Sequence, residues 1–576
     1  MISVLFNWLY IAVTSFLTGF GLCVLVRSVL GYRVKDIGCI VALGLVAVTA
    51  YAQIVSLISK VGASANLVLA AGCLVAAAAW RIQIAQLLSE AWKSKSALRK
   101  WVIFLSIIIL CYFTSRGYMH YDSDLYHAQS IRWIEEYGIV KGLGNIHVRF
   151  AYNSSFFALS ALYSMKFLTG RSLHTVNGFV ALLLWMQVLP LFCAQKRTRK
   201  TLVTSFARLG AFYYLTVIYS DIVAPASDYA VMCVVFFIVI RWLELSEREE
   251  DSPVPYALLC VAGVYAVTLK LTAGLILILL AKPLWMFVRE KKWRDIGICL
   301  LMGIVTIVPW LARTVILSGY LLYPFPALDL FDVDWKMDAA AAALDAAEIK
   351  TWGRGLNNAA LVDLPVSEWF WGWFQGSLPG IGKLLVLADI VCLFVFVVLL
   401  VRMILNVRGT GKIHREHLFV LAAVLVSYGF WQLSAPLLRY GYAYVLLVVV
   451  ITAGILCDIL IKYFDKWQKR DMIRRMTVLG AIALWAFSAV KLVSLVRYSC
   501  GEAWKPAYVW QQDYGSYALE SYVVNGVTFY YPVSDDRTGY DFFPALPRQI
   551  PIDFRGESLE AGFYPAQESE YENGKK

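Results

Sequence analysis

Charge is scarce in this chain. Only 16% of its residues are Asp, Glu, Lys or Arg, while 60% are hydrophobic. A soluble enzyme or binding module needs more polar surface than that. Glycine-rich phosphate loops are missing too: no P-loop and no GxGxxG occurs in a strand–turn–helix context. No CxxC pair is present, and ten of the eleven cysteines lie in or beside apolar runs, with Cys500 alone clearly outside them. That distribution excludes a disulfide framework and a thiol redox motif. No internal repeat is found. The net charge of +12 is not a nucleic-acid signal, because the basic residues fall in particular loops.

Apolar runs of spanning length are abundant instead. Lipid leaves an unclosed chain only the helix for satisfying its backbone, so the runs predict an all-α polytopic membrane protein. No cleavable leader is evident, since the first run, Val4 to Val26, is long enough to stay as a helix. About fourteen spans are expected. They cover Val4–Val26, Ile37–Leu57, Ala65–Trp80, Trp101–Thr114, Leu173–Cys193, a run ending near Tyr219, Tyr229–Leu243, Tyr256–Leu269 and Leu271–Val288. The rest reach Ile316, end at Arg402, flank Ala435–Tyr444 as a pair, and end at Val496.

Basic loops fall at alternate connections: Gln195–Lys200, Arg289–Arg294, Arg408 to Arg415, and Lys462–Arg475. The positive-inside rule places these in the cytoplasm. Arg116–Arg171, Tyr219–Asp228, Lys270, Leu317–Gly382, Ser434–Tyr440 and the tail from Arg497 then lie outside, with both termini. Ser154 to Leu168 would reach only about 22 Å at a rise of ~1.5 Å per residue, short of the ~30 Å hydrocarbon core. It reads as a helix lying at the outer interface. Three parts follow: a three-helix module over residues 1–100, a membrane core over 101–496, and a small external cap over 497–576. Asn525-Gly526 in that cap, between β-formers, predicts a tight hairpin.

The stretch Arg116–Arg171 stands apart. It holds Asp122, Asp124, Glu135 and Glu136, and His120, His127 and His147, with His174 just beyond. Asp122, Ser123 and Asp124 suit a helix N-cap. From Leu125 onward, apolar residues at Ala128, Ile131, Ile134 and Tyr137 form a stripe that predicts an amphipathic helix lying on the surface, ended by Gly138. Further polar residues sit at the same face: Asp221 and Asp228 in the second outer loop, Lys270 at a helix–helix turn, Arg313 near the outer end of a span, and Arg439 before another. A carboxylate can activate an acceptor hydroxyl. Arg and Lys can bind a leaving lipid phosphate. Each also has a plainer reading: a cap for Asp122, Asp124 or Asp228, and snorkelling for Lys270 or Arg439. Arg313, inside an apolar span, favours function. His127 lies one turn from Asp124, a spacing that permits an Asp/His divalent-metal site, although such a histidine is more often surface polarity.

The order of acidic turn, amphipathic helix, interfacial helix and Gly170-Arg171 leading into a span resembles the first external loop of GT-C superfamily glycosyltransferases. Asp122 with Tyr126 four residues on matches a family Asp-Glu pair followed by Tyr, with Ser123 in place of the Glu. PWLARTVILSGYLLYP, which contains Arg313 and Tyr323, is similar to an uncharacterised bacterial branch of GT-C-like membrane proteins. The likeness covers roughly Trp101 to Arg497. It implies an inverting transfer from a polyprenyl-phosphate sugar to a glycan, lipid or protein acceptor at the outer face of a bacterial cytoplasmic membrane. Asp122 would be the base, with Asp124 its alternative or helper. Tyr126, His127, Asp228, Lys270, Arg313, Tyr323 and Arg439 would bind substrate, and a divalent metal is the one cofactor the pattern leaves open. Two rivals remain: a glycan polymerase or ligase using a lipid-linked oligosaccharide, and a lipid or glycan transporter. Transporters tend to carry midplane charges and repeats.

Overall fold

The computed structural model describes residues 1–93, 95–192, 202–405, 412–463, 470–499 and 508–565. The basic loop Gln195–Lys200, Arg408, Cys500 and part of Lys462–Arg475 lie outside the described residues. The chain is mostly helical. In order, α1 is Ile2–Leu30, α2 Ile37–Ile58, α3 Ala63–Ala79, α4 Arg81–Lys93, α5 Ala97–Ser115, α6 Ala128–Tyr137 and α7 Ser155–Tyr163. Then come α8 Lys166–Thr169, α9 Val176–Val188, α10 Leu202–Ile218, α11 Ser227–Glu247, α12 Pro253–Leu269, α13 Ala281–Arg289 and α14 Trp293–Ser318. The outer loop supplies α15 Ala339–Gly353 and α16 Val366–Gly376, followed by α17 Gly380–Ile404, α18 Lys412–Leu433, α19 Leu438–Tyr463 and α20 Arg470–Ser499.

Among the described residues, nine helices are long and apolar enough to cross a membrane. The count rises to ten if α3 and α4, which meet at a bend of 83°, form one broken span; four further apolar helices are shorter. The expected total of fourteen is therefore not reached by length and composition alone. Of the four shorter helices, α12 is buried along almost its whole length and stops before Lys270, whose backbone turns extended.

Helices α1 and α2 pack closely through small residues. A Cβ on Gly19 would lie 1.9 Å from the Ile40 carbonyl oxygen, and one on Gly44 would lie 1.7 Å from that of Ser15. Close backbone approach of this kind gives apolar helices dispersion contacts that lipid cannot match. Side chains of α1 to α3 share one buried core with α7, α9, α11 and α12.

Two expectations in the central stretch are corrected. The Ser154–Leu168 segment is not one helix: its first part is enclosed by protein, while Phe167 and Leu168 at its end are exposed. It breaks at Met165 into α7 and the short α8, and all nine residues of α7 are buried. Helix α6 is not surface-lying either: Gln129, Ser130 and Glu135, on its polar side, are as buried as its apolar stripe. The C-terminal cap covers that side. Gln129 Nε2 donates to the carbonyls of Gly539 (3.0 Å) and Phe542 (2.9 Å). Arg132 donates to those of Tyr540 and Asp541. Glu135 accepts from Ser172 Oγ at 2.9 Å and from the Tyr540 hydroxyl.

The cap carries the expected hairpin. Strand β1, Leu519–Val524, pairs antiparallel with β2, Val527–Pro532, with Val524 opposite Val527. Asn525 and Gly526 turn at φ 50° and 77°, the positive pair that a two-residue hairpin turn requires. Phe529, Leu546, Phe554 and Phe563 form a small core with Trp133 of α6, so the cap folds onto the bundle rather than beside it.

Candidate functional site

Six polar side chains from five separate segments meet at one end of the bundle. His120 and Asp122 come from the turn after α5. Arg149 comes from the short helical turn Val148–Ala151, Asp228 from the first turn of α11, Lys270 from the end of α12, and Arg439 from the first turn of α19. The N-cap reading of the acids fails. Asp122 has helical backbone angles and caps nothing, and α11 starts at Ala226 without a side-chain cap.

Asp122 is held from three sides. Its Oδ2 accepts from Arg439 Nη2 at 2.9 Å, and its Oδ1 faces Arg149 Nη1 at 3.7 Å. His120 Nδ1 lies 3.5 Å from Oδ2. A guanidinium can only donate. Arg439 Nη1 contacts His120 Nε2, and the Asp122 backbone N–H donates to His120 Nδ1 at 3.1 Å, so donors face both ring nitrogens. Asp228 accepts from Lys270 and faces Arg439 Nε at 3.5 Å. Tyr440 adds an aromatic floor: its ring centroid lies 3.3 Å from Lys270 Nζ, and its hydroxyl accepts from Arg439 at 3.0 Å. One guanidinium thus bridges both carboxylates.

The charge balance is uneven. Three cations (Arg149, Lys270 and Arg439) face two carboxylates, leaving one positive charge in excess. Burial pushes the Asp122 carboxyl up, but Arg439, then His127, His120 and Arg149, outweigh it and hold it below the usual carboxylate range. Burial and then the Arg439 charge hold His120 below the usual imidazole value, as donors at both ring nitrogens favour an uncharged ring. The cluster stays reachable, with 19% of the Asp122 side chain, 26% of Arg439 and 37% of Arg149 exposed.

The other sequence-derived candidates fall in different places. Asp124 turns away from the cluster and grips the cap: its carboxylate accepts from Gly515 N–H at 3.0 Å and Tyr517 O–H at 2.9 Å, and its carbonyl from Thr538 and Gly539. Burial raises its pKa beyond what those bonds offset. His127 is buried between the rings of Tyr126 and Phe157, with Ser123 Oγ 3.4 Å from Nδ1. Burial lowers its pKa to about 3. Arg313 is fully enclosed and donates to Asn153 Oδ1 (3.1 Å), Ser56 Oγ and the Gly138 carbonyl. It pins α2 and the end of α6 to α14, and these bonds do not reach the Asp122 cluster. Asp221 bonds Ser220 at 3.2 Å, and burial pushes it up to about 6.

Tyr126 and Tyr323 belong to an aromatic extension. Arg149 sits 5.8 Å from the Tyr126 ring, which packs edge-on against Tyr152. Tyr152 and Tyr323 both donate to Asp345 Oδ2 of α15, at 2.5 and 3.0 Å. Sequence reading missed Arg149, Tyr152, Asp345, Tyr440 and the role of His120. Arg149 was the one with a signal, a lone cation in the apolar run HVRFAYNSS.

A metal reading gains no donor set. Asp124 and His127 spend their polar atoms on different neighbours. Among the described residues, no three His, Cys, Asp or Glu side chains are grouped to hold an ion. Comparison with curated proteins and with solved structures gives no match. A family model does match, over residues 1–446, which takes in every member of the charged cluster but not the cap. The chain belongs to the family described as "Domain of unknown function (DUF8201)".

Proposed function

We propose that the protein is a membrane glycosyltransferase of the GT-C type, moving a sugar from a polyprenyl-phosphate donor to an acceptor hydroxyl with inversion. The observation that carries this reading is the Asp122–Arg439–Asp228–Lys270 cluster: a reachable carboxylate beside cations that exceed the acids by one charge, a balance suited to an added phosphate. In this scheme the donor phosphate takes over Arg439 and Lys270. Asp122, released from Arg439, accepts the proton of the acceptor hydroxyl as that oxygen bonds to the anomeric carbon. The carbon–oxygen bond to phosphate breaks on the opposite face, and the lipid phosphate leaves on the cations. Asp228 holds Lys270 and Arg439 in place. Orientation is part of the proposal: the short apolar helices complete an even number of crossings, the basic loops face the cytoplasm, and the cluster faces the outside.

The test is sugar transfer from a polyprenyl-phosphate sugar by the purified full chain in detergent. Product release with wild type and none with Asp122→Asn is the expected result. Transfer that is unchanged in Asp122→Asn would overturn the assignment. If substrate crosses reconstituted vesicles with no glycosidic product, the transporter reading replaces it.

A further inference from the structure

We propose that α4 and the turn into α5 form a binding surface for anionic phospholipid headgroups, on the membrane face opposite the Asp122 cluster. The placement follows from the path of the chain. Helix α3 begins beside the end of α6, where Val61 N–H donates to the Ile134 carbonyl. Helix α5 returns to the same end, at Arg116, four residues before His120. The far end of α3 and the start of α5 therefore lie on the other side of the bundle. There the chain bends by 83° into α4, which turns a helix running across the membrane into one running along it.

Composition then says what α4 meets. None of its residues is buried. Ile84 and Leu87 rest partly on a core cluster formed by Phe20, Val26 and Phe287, while Ile82, Leu88 and Trp92 are exposed. Arg81, Lys93, Lys95, Arg99 and Lys100 accompany them, with Glu90 the only acid over residues 81–100. The cations crowd one another. Burial, then the Arg99 charge, hold the Lys95 ammonium below its usual range, with Asp36 of the turn before α2 only partly offsetting them, and Lys100 lies 4.6 Å from the Trp92 ring centroid. Helix α5 opens with no acid in its first turn, so Arg99 and Lys100 sit at the positive end of a helix dipole. Anions supplied from outside the chain relieve all of this. An exposed apolar side with basic residues along it is the composition of a helix seated among lipid headgroups. Phosphate of an anionic lipid is the ligand in reach of each cation.

The experiment uses the full chain reconstituted in vesicles and compares the motionally restricted fractions of spin-labelled phosphatidylglycerol and phosphatidylcholine. Each basic residue near a charged leaflet contributes about fivefold. Wild type should therefore retain phosphatidylglycerol several-fold over phosphatidylcholine, and half-molar salt should erode that preference. The variant Lys93→Gln/Lys95→Gln/Arg99→Gln/Lys100→Gln should lower the ratio several-fold, the remaining preference belonging to the other basic loops of that face, whereas Lys383→Gln, at the other face, should leave it unchanged. Equal retention of the two lipids by wild type overturns the proposal, and that reading needs no variant to fold. A preference undiminished by the fourfold substitution also overturns it. So does self-association through α4 in phosphatidylcholine alone, which would assign the face to a second copy.

Discussion

Asp122 and Asp124 are two residues apart on one turn, yet the fold uses them in opposite ways. Asp122 faces Arg439, Arg149 and His120 and keeps part of its surface open. Asp124 bonds neutral groups, the N–H of Gly515 and the hydroxyl of Tyr517, with Arg537 and Asp535 acting on it in opposite senses. Charge partners lower one pKa, and burial raises the other. The same side chain thus becomes a poised anion on one side of the turn and a structural acceptor on the other, because environment sets the stable protonation state.

Removing the open carboxylate breaks this contrast most sharply. Asp122→Asn should lower sugar transfer ~100-fold or more, the usual cost of a lost general base. Near neutral pH it should also melt somewhat below wild type, because the stabilisation that the depressed Asp122 pKa represents is lost. A transfer rate that instead collapses in Asp124→Asn and survives in Asp122→Asn would exchange the two roles.

Arg439→Gln comes next, because it strips the shared cation from both Asp122 and Asp228. Uncompensated buried charge costs roughly 3–5 kcal/mol, and partial exposure here brings the expected loss nearer to ~2 kcal/mol. A detergent melt should show it, with Arg439→Lys recovering part. A melt identical to wild type would mean the bridge contributes little.

Asp124→Ala should act on the cap. Two buried donors lose their acceptor, at about 1–3 kcal/mol. Limited proteolysis should then cut faster within residues 508–565 while transfer remains measurable. Loss of transfer with an intact, protease-resistant cap would place Asp124 in the chemistry.

The smallest effect is in pH dependence, and the two acids should differ in sign. Asp122 has a depressed folded pKa, so its stabilisation is present above the unfolded value of ~3.9 and is lost as pH falls through the folded one. Asp124 has a raised folded pKa, so its contribution is full below ~3.9 and is lost as pH rises through the folded value. Melts of Asp122→Asn and Asp124→Asn against wild type across acid pH should therefore diverge in opposite directions. Parallel curves would remove the distinction.

Much of the framework can be read from the residues. Apolar runs located α1, α2, α5, α11, α14 and α17 to within a few residues, because a spanning helix must be apolar over its whole length. Asn525-Gly526 specified the hairpin turn, since few residue pairs accept two positive φ values. Asp122, Asp228, Lys270 and Arg439 were each visible as polar residues at helix ends. Their convergence was not, because the five segments that supply the cluster are scattered along the chain. Helix α6 shows the opposite failure. Periodicity set Ser130 and Glu135 off its apolar stripe on a helix expected at the surface, and the cap, arriving from more than 400 residues later, covers it through bonds to Gln129, Arg132 and Glu135.

Sequence alone, then, determined where the chain meets lipid and where charge is allowed, because hydrocarbon tolerates few alternatives to an apolar helix. Tertiary structure decided which charges meet. Arg313 looked like a phosphate ligand and instead ties three segments together through neutral acceptors. Arg149 looked incidental and instead stands against Asp122. The physical reason is that a buried ion takes its character from the few groups within reach, and those groups are brought there by packing rather than by order along the chain.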